Sequence, residues 1–126
     1  MHNKQKYQFD KLRNRKSGYP MATVAYYGPD DQFSSKVVVG IIWSENQKEP
    51  TLKKWFAKDQ DVRRDEIITE EIFEYINSNH VHRVAMVDSI IGCPHEEGVD
   101  YPDGDTCPLC PFWANRDRWT GKIYYQ

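Results

Sequence analysis

Apolar residues concentrate in three stretches of the chain, as they do in buried β-strands. Segments 21–27 and 36–43 are rich in β-branched and aromatic residues, and a Gly-Pro-Asp-Asp turn sequence at 28–31 separates them. This arrangement predicts an antiparallel hairpin. Segment 83–91 is apolar on both faces, which is typical of a strand inside a sheet.

A helical pattern occupies residues 64–79. Ile68, Ile72, Phe73 and Ile76 recur at the spacing that places side chains on one face of an α-helix. Acidic residues are concentrated in the first half of this segment, where they suit the helix dipole. We therefore expect one principal helix, packed on the sheet through these four residues.

The order of the elements predicts the topology. A strand, a helix and a strand in sequence form a right-handed crossover, so segments 36–43 and 83–91 should be parallel neighbours. Segment 44–60 is polar and irregular, with a single helical turn expected at 51–57. Residues 122–125 are a candidate edge strand. The predicted fold class is α+β: a small mixed sheet of three to four strands with a ββαβ core, one principal helix and a zinc-binding C-terminal loop.

Length and charge divide the chain further. Its 126 residues suit one domain. Residues 1–18 carry six lysines and arginines against Asp10 alone, a net charge of +5, and we expect them to form a flexible basic arm, with a short docked helix or edge strand as the alternative. Residues 88–105 carry six carboxylates and no cation, a net charge of −6. The expected single domain spans 19–126 and includes the zinc-binding loop at 92–113, called here the metal loop.

All three cysteines of the chain lie in the metal loop. Cys93 and His95 are two residues apart, so an extended backbone turns both to one side, and Cys107 and Cys110 form a C-x-x-C pair. Thiolate and imidazole groups are the ligands that Zn²⁺ takes in structural sites. We therefore predict a Cys₃His zinc site, with His80, His82 or Glu97 as alternatives for the fourth ligand.

Two carboxylates are candidates for proton transfer if the site is catalytic. His95, Glu97 and the Cys107 to Cys110 pair resemble the H-x-E and C-x-x-C signature of the zinc nucleobase deaminases, which implies a zinc-bound water and Glu97 as the proton carrier. The chain departs from that pattern because Thr106 replaces the usual proline and only eleven residues separate the two halves. Cys93 would also close the open coordination position. Asp88, near the end of an apolar strand, is the second catalytic candidate.

The leading functional interpretation is a non-catalytic zinc-binding domain that contacts another protein or a second copy of itself as a homodimer. A zinc-dependent hydrolase or deaminase is the first alternative. Nucleic-acid binding through the basic arm and the aromatic and arginine-rich segment 112–119 is the second. No apolar run resembles a signal peptide or membrane span, so we expect a cytoplasmic protein without membrane contact.

Overall fold

A four-stranded mixed sheet carries the fold in the computed structural model, which describes residues 3–114 and 116. The strands are β1 (Met21–Tyr27), β2 (Lys36–Ile42), β3 (Thr51–Phe56) and β4 (Arg83–Ile90), in the spatial order β3-β2-β1-β4. The described residues form two helices, α1 (Asn3–Arg13) and α2 (Glu66–Ser78), with short 3-10 turns at Val62–Arg64 and Pro111–Trp113. The predicted α+β fold is confirmed. The candidate edge strand at 122–125 lies outside the described residues.

The hairpin and the principal helix form as predicted. Strands β1 and β2 pair in antiparallel register from Met21 opposite Ile42 to Tyr27 opposite Lys36. Alternate residues of both strands face α2 and build the core. The largest part of that core is Ala22, Val24, Val37, Val39 and Ile41 from the sheet with Ile68, Ile72 and Ile76 from α2.

Helix α2 has a defined beginning and end. The Asp65 carboxylate accepts a hydrogen bond from the Ile68 amide at 3.0 Å and caps the N-terminus. At the C-terminus His80 adopts a left-handed backbone conformation, with φ of 54°. The Val81 amide then donates back to the Ile76 carbonyl at 3.2 Å, which closes the helix in a Schellman arrangement.

The predicted neighbour of strand β4 was wrong. Strand β4 pairs in parallel with β1, from Met21 opposite Arg83, and not with β2. The reason is that β3 occupies the free edge of β2 and pairs with it in antiparallel register. The interpretation of 44–60 as irregular with one helical turn missed this strand, because only Trp55 of β3 is buried.

The basic segment 1–18 contains helix α1. Phe9 and Leu12 of this helix pack against the same core as α2, and the rings of Phe9 and Phe73 lie 5.0 Å apart. The sequence favoured a flexible arm here because so few of its residues are apolar. No described helix is both long and apolar enough to cross a membrane.

Candidate metal centre

The metal loop leaves the sheet where β1 and β4 end. The Ile91 amide donates to the Tyr26 carbonyl at 2.9 Å, and the Gly28 amide donates to the Gly92 carbonyl at 2.9 Å. These two bonds extend the pairing of the strands by one step. They fix the direction of the chain immediately before Cys93.

Four side chains converge in this loop. The ligand atoms of Cys93, His95, Cys107 and Cys110 all lie within 4.8 Å of one another. The Nδ1 atom of His95 is 3.2 Å from the Cys93 sulfur, 3.4 Å from the Cys107 sulfur and 3.5 Å from the Cys110 sulfur. In a tetrahedral zinc site with ordinary bond lengths, nitrogen and sulfur ligands stand about 3.5 Å apart. The cluster therefore has the composition and the spacing of a possible metal site.

The C-x-x-C pair is buried within a tight turn. The Cys110 amide donates to the Cys107 carbonyl at 3.3 Å, and the 3-10 turn Pro111–Trp113 follows directly. Cys107 is 4% exposed and Cys110 is 1% exposed. Both residues of the pair are therefore almost wholly enclosed by the protein.

The environment of Cys93 and Cys110 favours the protonated form of their two thiols when no cation is present. Burial raises the pKa of Cys93, although the His95 amide donates to its sulfur at 3.3 Å and partly opposes the shift. Burial also raises the pKa of Cys110. Three thiolates this close together need a bound cation to hold them, so metal binding at this cluster must release protons.

A buried lysine attaches the loop to the sheet. The ammonium group of Lys36, at the start of β2, donates to the Pro94 carbonyl at 2.9 Å and lies 3.5 Å from the Glu96 carboxylate. Lys54 of β3 pairs with the same carboxylate. The Lys36 side chain is 6% exposed and stands beside the rings of Tyr27 and Phe56, at 5.7 and 5.6 Å from their centroids. Sequence reasoning did not identify this contact.

A tryptophan attaches the other end of the loop. The indole nitrogen of Trp113 donates to the Gly28 carbonyl at 2.8 Å, and the Phe112 ring packs edge-on against it with centroids 5.0 Å apart. The Arg116 guanidinium lies 4.0 Å from the centre of the Phe112 ring. The described part of the aromatic segment proposed for nucleic-acid binding is thus packed on its own domain.

The other predicted site residues lie away from the cluster or serve the loop itself. The Glu97 carboxylate accepts a hydrogen bond from the Gly104 amide at 3.0 Å, across the acidic turn. Asp88 is exposed and pairs with Arg13 of α1 at 3.3 Å. His82 contacts Arg15 through its ring, at 3.0 Å, and His80 ends α2. The structure places none of these four within the Cys and His cluster.

A cavity of about 540 Å³ separates the metal loop from the uncovered face of the sheet. Its floor includes Thr23, Ala25 and Val38, which point away from α2, and its wall includes His95 and Cys107. The metal cluster therefore forms one side of an open groove.

Comparison of the chain with known protein families, with curated proteins and with solved structures finds no match.

Proposed function

We propose that this chain is a small zinc-binding domain with a structural Cys₃His site, and that the metal organises the C-terminal third for contact with a protein partner. The convergence of three sulfurs and one imidazole nitrogen within 4.8 Å carries the proposal. Soft thiolate ligands in a tetrahedral set select zinc over calcium and magnesium. Iron in a rubredoxin-like site would require a fourth thiolate, and the chain has three cysteines.

The number of protein ligands favours a structural role over a catalytic one. A catalytic zinc site keeps one position for water, whereas Cys93, His95, Cys107 and Cys110 together fill a tetrahedron. The two carboxylates considered for proton transfer have other partners, Gly104 for Glu97 and Arg13 for Asp88. Both observations support a closed site.

The composition of the metal loop explains what the metal would contribute. Between the last core residue of β4 and the turn at Pro111, the loop is dominated by polar, proline and glycine residues. Few apolar contacts are available to order it, so metal binding supplies folding free energy that a hydrophobic core supplies elsewhere. Exposed apolar residues on the ordered loop, Val99 at 75% and Leu109 at 71%, are then presented to a partner.

Metal analysis of two purified variants tests the ligand assignment. Cys110→Ser should lose stoichiometric zinc, because it removes a buried thiolate ligand. Glu97→Ala should retain zinc, because that carboxylate bonds within the acidic turn. Zinc retained by Cys110→Ser and lost by Glu97→Ala would contradict the proposal.

Self-association stays a prediction of the sequence. The cations of segment 1–18 and the carboxylates of segment 88–105 suit a salt-sensitive contact between two copies. Sedimentation at low and high salt tests it, since a homodimer of this kind should dissociate as salt rises. A monomer at every salt concentration would contradict it.

A further inference from the structure

Strand β3 (Thr51–Phe56) forms an edge of the sheet. In the described part of the chain it pairs with β2 alone, so the backbone on its other side has no strand partner there. At the opposite edge, α1 packs beside β4. An open edge of six residues is long enough to accept an added strand from another polypeptide.

Two apolar side chains mark this edge as a contact surface. Leu52 is 54% exposed and Phe56 is 64% exposed, and strand alternation places both on the face that bears the metal loop. Leu52 and Lys54 also line the cavity beside that loop. A strand added at β3 would therefore set its own side chains next to Leu52 and Phe56, at the mouth of the cavity.

The positive charge of β3 favours some binding partners at this edge over others. Lys53 and Lys54 stand at the centre of the strand. When two β3 strands pair in antiparallel register about their midpoints, or one residue to either side, at least one lysine lies directly opposite a lysine of the other strand. Like charges in directly opposed positions destabilise such a pairing. A second copy of this chain is therefore a poor partner at this edge, and an acidic segment is a good one.

Of the two lysines, Lys53 offers its charge to a partner. Lys54 is already paired with Glu96 of the metal loop. The Lys53 ammonium stands over the rings of Trp55 and Tyr75, at 5.2 and 5.0 Å from their centroids, and its side chain is exposed. A carboxylate opposite Lys53 would meet a cation that forms no ion pair with a carboxylate among the described residues.

We propose that the β3 edge docks an extended segment of a partner protein that carries apolar residues opposite Leu52 and Phe56 and an acidic residue opposite Lys53. The inference rests on the proposed function, because the metal loop supplies the far wall of the cavity. It adds to that function the chemistry of the partner and the place where it binds.

A charge-swap experiment on the full, zinc-loaded chain tests this inference. The probe is a fluorescein-labelled, end-capped peptide, Ile-Thr-Thr-Glu-Val-Thr, followed by anisotropy. Lys53→Glu should weaken binding roughly fivefold, which is the size of a cross-strand charge pair. The same variant should bind a peptide with lysine in place of glutamate more tightly than the unmodified chain does. Lys58→Glu, an exposed change of the same charge outside β3, is the control and should leave the affinity unchanged.

Three outcomes would overturn the inference. The first is no peptide binding by protein that contains stoichiometric zinc, a result that leaves the metal site intact. The second is an equal loss of binding in Lys53→Glu and Lys58→Glu. The third is peptide binding that disappears as the protein concentration rises, which would assign the edge to a second copy.

Equal binding by zinc-loaded and zinc-free protein would support the β3 site and contradict the proposed role of the metal.

Discussion

Lys36 and Pro94 are joined by a hydrogen bond of 2.9 Å from the lysine ammonium group to the proline carbonyl. Pro94 lies between Cys93 and His95, so this bond connects the start of β2 to the peptide that carries two of the four proposed ligands. Because the Lys36 side chain is buried, its charge depends on this carbonyl and on Glu96 for compensation. The sheet and the metal loop therefore support each other's conformation.

Replacing Lys36 should weaken metal binding without removing a ligand. Hydrogen bonds from charged groups contribute about 1.5–3 kcal/mol, so Lys36→Met should lower the zinc affinity by roughly tenfold or more. Competition with a chromophoric chelator measures the affinity. Lys48→Met is the control, because Lys48 is exposed in the connection before β3. Equal zinc affinity in both variants would show that the loop does not depend on Lys36.

Removal of the metal should unfold the loop and spare the sheet. The core built by β1, β2 and α2 does not include the metal loop, so the helical circular dichroism signal should persist after chelation. Limited proteolysis should then cut between Gly92 and Trp113 in the metal-free protein alone. Equal protease resistance with and without metal would contradict this expectation.

Asp61 should make stability depend on pH in the acid range. Burial opposes its ionisation, but hydrogen bonds from the Arg63 side chain and from the amides of Ser34 and Arg63 outweigh burial and lower its pKa to about 2. The ordinary value is 3.8. The unfolded chain therefore takes up a proton first as the pH falls, and stability that is complete above about pH 5 is lost towards pH 2.

The size of that loss should be about 2 kcal/mol, from the difference between the two pKa values of Asp61. Urea unfolding at pH 6 and pH 2.5 measures it. Asp61→Asn should be less stable at pH 6 and should lose less stability between the two conditions. Asp59→Asn, an exposed neighbour, should behave like the unmodified chain. An identical pH dependence in all three proteins would contradict the assigned role of Asp61.

Helix α1 should contribute to the stability of the domain. Phe9 packs on the core and against Phe73, so Phe9→Ala should lower the free energy of unfolding by roughly 2–3 kcal/mol. Tyr7 lies on the same helix and is 69% exposed, which makes Tyr7→Ala the matched control with little expected effect. Similar effects of both substitutions in chemical denaturation would mean that α1 does not dock through Phe9.

The parts of the fold with strong periodicity were predictable from the sequence. The β1 and β2 hairpin has continuous β-branched residues and a clear turn, and α2 has three isoleucines on one face that are all buried. Strand β3 was missed because its pairing with β2 buries Trp55 alone, so no alternation of apolar residues is visible. That omission also caused the wrong neighbour for β4.

The four proposed ligands of the candidate site were predictable from the sequence, but the contacts that hold the metal loop in place were not. Cysteine and histidine are rare in this chain, and their close spacing in 93–110 is a local signal. The contact of Lys36 with Pro94 joins residues 58 positions apart, and nothing near Lys36 in the sequence indicates it. The docking of helix α1 was not predictable for the same reason, because it depends on the contact of Phe9 with Phe73, which lie far apart in the sequence.

X-ray absorption spectroscopy at the zinc edge of the purified full chain tests the proposed metal site most directly. Three sulfur ligands at about 2.3 Å and one imidazole nitrogen at about 2.0 Å are expected, with no water in the coordination sphere. Cys93→Ser should lose stoichiometric zinc, as Cys110→Ser should, because it removes one of the four proposed ligands. Two sulfur ligands with an oxygen ligand in the unmodified chain, or a protein purified without zinc, would contradict a closed Cys₃His site.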